Sequence, residues 1–359
     1  MSASASKPLV WMLVADKQGD NRQAQVVADL LDVPYEVRHV YPLPKYVKGK
    51  PWVRASINHL DLERSDPLTA PWPDILITVG RRPSMAALWI QKQSQGRTRI
   101  VLVGRQPRHL NRYAMVISSC QYITARDPRI VRIALPLDDS DTTDYTNIAT
   151  DGSTALLVGG PTRTYRMLPG DARAMLEVAR RHSGDALIRI VTSRRTPAAV
   201  VREFEGLTNS NTLLLAWSAT PAPGQPTYSE VIRSSERFVV TGDSISMVCD
   251  AVRTARPVGI FVLPYKYRLA GLWHRLITQV ATADNVPLTN PVARCLRWIA
   301  DSRLMRLPRS FSAFFEFLIA HGSASYIDDG FPSQIKPIGA QDTEELRRRL
   351  AQLVDSIPR

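Results

Sequence analysis

The chain has 359 residues, 44% of them hydrophobic and 22% charged, and a formal net charge of +13. That length suggests two domains of ordinary size, with ample apolar material for a core. Three scattered cysteines, Cys120, Cys249 and Cys295, exclude a disulfide framework and a thiolate metal site, and point to a reducing compartment.

No apolar run reaches the ~18–20 residues of a membrane span, and the N-terminus MSASASKPLV lacks a signal-peptide core. The expectation is a cytoplasmic protein, at most peripheral on the inner face of the membrane. A basic surface favours anionic partners. No zinc-finger, basic-zipper or RNP-type pattern occurs, so nucleic acid is not an expected partner. A phosphate-bearing small molecule ranks first and an anionic membrane surface second.

Residues 9–15 are an apolar run that fits a buried strand. The turn Asp16-Lys17-Gln18-Gly19-Asp20 follows, with Gly19 allowing a tight turn. Ala24, Val27, Ala28 and Leu31 then give one helical face that stops before Pro34. Residues 35–40 read as a second strand, 41–73 as a long, partly helical connection, and 74–79 as a third strand. That strand meets Gly80-Arg81-Arg82-Pro83, and Met85, Leu88 and Trp89 begin a helix. Residues 99–103 and 114–118 are further strands. Such alternation predicts a parallel sheet with helices on both faces.

Residues 136–152 are acidic and polar and read as a linker. Asp139-Ser140-Asp141 within them also matches a metal-binding Asp-x-Asp, but Pro136 and the density of Asp and Thr favour the linker. The second half repeats the theme, with strands at 155–158, 187–192, 213–217, 238–240 and 258–263. Ala172, Met175, Leu176 and Ala179 share one helical face; Ile245, Val248, Cys249 and Val252 share another. From 265 the chain is helical and basic. The expected domains are 1–140, 141–290 and a helical section at 291–359 that packs back across both.

Each polar cluster follows a predicted strand, where open α/β sheets bind ligands. Three stand in the second half: Gly159-Gly160-Pro161-Thr162-Arg163, Ser193-Arg194-Arg195-Thr196-Pro197, and Thr241-Gly242-Asp243-Ser244-Ile245-Ser246. Guanidiniums, hydroxyls and the free amides of a helix start together suit a diphosphate. Pro197 is set to open a helix at its first position. A purely structural reading stands beside this one. Asp243 is a good N-cap, whose carboxylate would occupy the helix amides itself, and paired arginines can form salt bridges. In the first half, Asp20 and Asn21 are either N-caps or, for Asp20, a general base on an acceptor hydroxyl. Arg81 and Arg82 can steer an anion. His39 ends the second strand and is a lone histidine. The segment 294–319 carries Arg294, Arg297, Arg303, Arg306 and Arg309 among Trp298, Leu304, Leu307 and four phenylalanines. It suits either an anionic bilayer or packing against the α/β domains.

The series VWMLVADKQGDNRQ, PDILITVGRRPSMAAL, ALLVGGPTRTYR, VTSRRTP and VVTGDSISMVCDA with PVGIFVLP spans about residues 9–264. In this order it resembles the family named for a plant mitochondrial-fission factor and a bacterial lipooligosaccharide outer-core glycosyltransferase. The resemblance implies a B-type glycosyltransferase fold, with two Rossmann-like domains facing across a cleft and a helical C-terminal section. It implies a nucleoside diphosphate sugar as donor substrate, no cofactor and no metal, and a glycan or glycolipid acceptor of lipopolysaccharide type. Carried over by position, Gly160, Arg163, Ser193, Arg194, Arg195, Thr196, Thr241, Ser244 and Ser246 become donor-site residues. Gly19, Arg81 and Arg82 become cleft residues, and Asp20 the catalytic residue. In the family a histidine often follows the glycine of the first motif. Asp20 here either replaces it or marks another acceptor or an inactive chain. The alternatives are a nucleotide-sugar epimerase or hydrolase on the same fold, and a non-catalytic partner-binding protein.

Overall fold

The computed structural model describes residues 7–47, 52–138, 145, 147–218, 223–283, 288–302, 307 and 310–358. Asp139-Ser140-Asp141, Arg303, Leu304, Arg306 and Arg309 lie outside them. The chain forms two compact units. Unit 1 comprises Met1–Thr142, Trp298–Leu307 and Gly339–Arg359, and unit 2 comprises Thr143–Arg297 and Pro308–Ile338. The C-terminal section is therefore divided between the two.

Unit 1 runs β1 (Val10–Val14), α1 (Gln18–Leu30), β2 (Glu36–His39), α2 (Pro44–Val47), β3 (Ile75–Val79), α3 (Arg81–Gln93), β4 (Arg99–Val103), β5 (Met115–Ser119) and β6 (Ile130–Ile133). All pairings are parallel, in the order β2-β1-β3-β4-β5-β6. Strand β6 is an extra element beyond the sequence reading, a four-residue strand holding Arg132 between Pro128 and Pro136.

Every residue of β1 is buried, because helices cover both faces of the sheet. Val10, Met12 and Val14 join Ala24, Val27 and Ala28 of α1 in one core. Trp11 and Leu13 join Ala86, Ala87 and Ile90 of α3 in the other. The period of two along the strand sends alternate side chains to opposite layers.

Unit 2 runs β7 (Thr154–Val158), α4 (Pro169–Ser183), β8 (Ile188–Thr192), α5 (Ala198–Glu205), β9 (Thr212–Leu215), α6 (Tyr228–Ser234), β10 (Arg237–Thr241), α7 (Ile245–Arg253), β11 (Val258–Phe261), α8 (Arg268–Ala281), α9 (Pro291–Asp301, whose last residues belong to unit 1), α10 (Phe311–His321) and β12 (Ser325–Tyr326). Its sheet is also parallel, in the order β12-β11-β10-β7-β8-β9. Pro197 is the N-cap of α5 rather than its first helical residue, because its ψ of 141° is extended.

The phenylalanines Phe311, Phe314 and Phe315 of α10 are buried together with Leu318, so this stripe is core and not a membrane face. Arg297 is buried as well. The chain then returns to unit 1 with α11 (Ala340–Asp355). Leu346, Leu350 and Leu353 of that helix lie in the same core as α1 and the β1 face. Each such burial stabilises by ~1.5–3 kcal/mol relative to exposure.

Candidate functional site

Numbered along its own stretch of chain, the unit 2 sheet has the order 6-5-4-1-2-3, so its direction reverses between β7 and β10. Open α/β sheets bind ligands past the carboxyl ends of the strands at that switch point. The three polar loops lie there. Gly159-Gly160 follows β7, residues 193–197 follow β8, and residues 242–244 follow β10.

Asp243 ties the loops together. Its Oδ2 accepts from the Gly160 N–H at 2.8 Å and from Arg195 Nη2 at 2.8 Å. The Asp243 side chain is 0% exposed, whereas Arg195 is 42% exposed. Burial pushes the Asp243 carboxyl above the usual range, opposed by the Gly160 amide and the Arg195 charge. The hydroxyls complete the tie. Thr241 Oγ1 accepts from the Gly159 N–H at 2.8 Å, and Ser193 Oγ donates to the Gly159 carbonyl at 2.9 Å. Thr196 Oγ1 accepts from the Ser193 N–H at 2.9 Å.

The glycine pair is a packing requirement. A Cβ on Gly159 would stand 2.3 Å from Asp243 Oδ2, and one on Gly160 would stand 2.2 Å from the Arg195 carbonyl oxygen.

The capping expectation for Asp243 is therefore corrected. Its carboxylate is drawn sideways to Gly160 and Arg195, and the N-cap of α7 is Ser244, which makes no side-chain cap bond. The first-turn amides of α7 are left without a capping side chain. Ser244 is half-buried and Ser246 exposed on that first turn.

The nine donor-site expectations thus divide. Gly160, Ser193, Arg195, Thr196 and Thr241 hold the loops to one another. Arg163, Arg194, Ser244 and Ser246 have side chains with no partner among the described residues. The Arg163 loop is pinned from below. The Thr162 N–H donates to the Tyr165 carbonyl, Arg166 N–H to Pro264, and Lys266 N–H to Thr164. The buried Tyr165 ring stacks on Tyr265 with centroids 5.3 Å apart.

In unit 1 the sheet reverses between β1 and β3. A cavity of about 1020 Å³ lies there, lined by residues that follow β1, β3, β4 and β5. Arg82 and Asp16 bridge the switch point at 3.0 Å, with Arg82 only 13% exposed against 36% for Asp16. Arg82 is thus a bound partner of Asp16 rather than a free steering charge. Its carbonyl lies 3.0 Å from His59 Nε2. Burial pushes the His59 imidazole below its usual range.

Asp20 and Arg81 line the cavity, and Asp20 lies 3.8 Å from Lys17. Gly80 precedes α3 with a φ of +78°, a left-handed backbone that favours glycine, and a Cβ there would stand 3.4 Å from Asp20 Oδ2.

Three expectations for this loop are corrected. Gly19 makes no tight turn: it sits in the first turn of α1, a Cβ added to it would meet nothing within 4 Å, and it does not line the cavity. Asp20 is likewise helical and not an N-cap. Asn21 accepts from the Ala15 N–H at 3.1 Å and donates to the Ala15 carbonyl at 2.7 Å, which closes the β1–α1 loop instead of capping the helix. His39 pairs with Asp66 at 3.3 Å and does not line the cavity.

The sequence reading missed Arg105, Arg108 and His109, which line the cavity after β4, and Arg54 with Trp52. The signal for the first group was present, since Gly104-Arg105 directly follows a buried strand. Among the described residues, no group of three or more His, Cys, Asp or Glu could hold a metal ion.

No curated protein matches the chain. Solved structures are similar at fold level only. One is a UDP-glucosyltransferase from Polygonum tinctorium capable of glucosylating indoxyl and 3,4-dichloroaniline, 10% identical over 98% of this chain and 100% of that one, with a TM-score of 0.44. A second is UDP-GlcNAc 2-epimerase from Methanocaldococcus jannaschii, 8% identical over 96% and 100%, with a TM-score of 0.46. A third is the lipopolysaccharide outer core galactosyltransferase WaaB in its apo form, 11% identical over 87% and 99%, with a TM-score of 0.37. The sequence motifs carry a firmer relationship. The model of the mitochondrial fission ELM1 family matches residues 18–286, three quarters of the chain, and the protein belongs to that family.

Proposed function

We propose that the protein is a metal-independent glycosyltransferase that takes a nucleoside diphosphate sugar in unit 2. The observation that supports it is the diversion of Asp243 away from the α7 N-terminus. An uncapped helix start then stands at the sheet's switch point, on the same edge as the loops that carry Arg163 and Arg194. Helix amides and guanidiniums stabilise a departing diphosphate, the task a divalent cation performs in other transferases. Asp20 in unit 1 is the proposed general base, and a glycan or glycolipid of lipopolysaccharide type the acceptor.

An anionic membrane surface is the proposed site of work. Its contact moves from 294–319 to α8. Leu272 is 68% exposed there, beside the exposed Tyr267, Trp273 and Arg275. No carboxylate occurs between Asp250 and Asp284. A basic helix with exposed Leu and Trp suits an anionic interface.

Calorimetric titration with UDP, GDP, ADP and CDP at low salt tests the donor site. One of them should bind with and without EDTA, and Arg163→Ala with Arg194→Ala should weaken it about tenfold or more. No binding at millimolar levels sinks the reading. Conversion of the free nucleotide sugar to an epimer without acceptor would favour the epimerase instead. Full cellular function of the double variant would favour a partner-binding role.

A further inference from the structure

The connection between β2 and β3 turns two large apolar side chains of unit 1 outward. Val47, the last residue of α2, is 49% exposed and Trp52 is 71% exposed. Both have anchored neighbours. Beside Val47, the Tyr46 N–H donates to the Leu43 carbonyl at 2.8 Å, and the Tyr46 ring meets His59 edge to face with centroids 6.2 Å apart. Beside Trp52, Val53 is buried. The chain is pinned next to each of the two, and their apolar surface still faces outward.

Cations accompany them. Lys45 Nζ lies 5.3 Å from the Tyr46 ring centroid, and the Arg54 guanidinium carbon lies 4.9 Å from that of Trp52. Lys45 and Arg54 are exposed. In the sequence Lys48 and Lys50 fall between them, and no carboxylate occurs between Glu36 and Asp61. Val47, Trp52 and Arg54 also line the cavity at the switch point, and being exposed they stand on its rim. The carboxylates among the lining residues, Asp16 and Asp20, sit beside Arg82 and Lys17.

Exposed apolar surface rimmed by polar groups marks an interaction site. The mixture of groups selects the partner. An indole settles at the headgroup level of a bilayer, and Lys or Arg beside it is drawn to anionic lipid. The cores of protein–protein interfaces are instead depleted in lysine.

We infer that Lys45, Val47, Trp52 and Arg54 dock unit 1 on an anionic lipid bilayer and bring the rim of the cavity to its surface. This contact is distinct in the chain from α8 and does not depend on the donor chemistry. Only the identity of the cavity's ligand, an acceptor held in the lipid, rests on the glycosyltransferase reading.

The test is flotation of the full chain with vesicles of phosphatidylcholine alone or with about 30% phosphatidylglycerol, at about 50 mM and about 300 mM salt. The anionic vesicles should bind at least about tenfold more strongly than the neutral ones, and high salt should weaken that binding. Val47→Ser with Trp52→Ser should weaken it about tenfold or more. Lys45→Gln with Arg54→Gln should weaken it about tenfold. A thermal melt of each variant confirms that it is folded. Insertion is read separately with brominated lipid. The fraction of tryptophan emission that it quenches should fall in Trp52→Phe and not in Trp217→Phe, a change at an exposed tryptophan of unit 2.

Three results overturn the inference: no preference of the wild type for anionic vesicles, undiminished binding by the Val47 and Trp52 double variant, or unchanged quenching in Trp52→Phe. Undiminished binding by that double variant, with loss in Leu272→Ser plus Trp273→Ser, would leave α8 as the membrane contact. Self-association that the double variant abolishes, without vesicle binding, would assign the patch to a second copy of the chain and overturn the inference as well. Failure of UDP to bind, with the vesicle pattern intact, would remove the donor reading and leave the lipid contact standing.

Discussion

At the switch point of unit 1 the buried member of the Asp–Arg bridge is the arginine, with Arg82 13% and Asp16 36% exposed. At the switch point of unit 2 it is the carboxylate, with Asp243 0% and Arg195 42% exposed. The inversion matters because the two ions titrate differently. Arginine keeps its charge at every accessible pH. Asp243 is a buried acid, and its charge is the costly one. The two units also use the space differently. Unit 2 draws its loops into contact through a glycine pair, whereas unit 1 leaves a cavity of about 1020 Å³.

The strongest way to break the unit 2 tie is Gly160→Ala. A Cβ there meets the Arg195 backbone, which has no rotamer by which to yield. Urea unfolding should show a loss of about 3 kcal/mol, and a change under about 0.5 kcal/mol would mean the loops are not so closely packed.

Asp243→Asn tests the inverted burial. Burial raises the Asp243 pKa, so the native state binds its proton more readily than the unfolded chain. Its contribution is therefore greatest below the unfolded pKa of about 4 and is lost as pH rises through the folded value. The stability of wild type relative to Asp243→Asn should fall as pH rises from about 4. A difference flat in pH would remove the buried-acid account.

His59 gives the opposite slope in unit 1. Its pKa is lowered by burial, so its contribution is present above about 6.5 and is lost as pH falls through the lower folded value. Wild type should lose stability relative to His59→Gln between about pH 7 and 5, as read by urea titrations at several pH values.

The smallest effects contrast two glycines that flank Asp20. Gly80→Ala should cost about 1–2 kcal/mol for its left-handed backbone. Gly19→Ala, in an open helical position, should stabilise by about 0.4–1 kcal/mol. Equal melting temperatures for the two variants would erase the distinction.

Much of the fold was legible because its strands are short buried apolar runs. The run DILITV predicted β3 within a residue, whereas α3 opens at Arg81, ahead of the Met85 from which a helix was expected. Strand β6 escaped because four residues containing Arg132 make too weak a pattern. For the site, loop positions were readable and side-chain partners were not. Asp243 ahead of a helix reads as a cap in any local view; its actual partners, Gly160 and Arg195, lie 83 and 48 residues away.

The sequence by itself determined the two α/β halves, the family and the strand-end loops, since apolar period and motif order are local properties of the chain. Only the tertiary structure decided which of those polar groups are spent on one another. Parallel strand order brings the β7, β8 and β10 loops to one edge, where Asp243 finds a backbone amide and a guanidinium and leaves the helix start to others. The same physics, at the other switch point, ties Arg82 to Asp16 and leaves Arg54 and Arg108 among the charges of an open cavity.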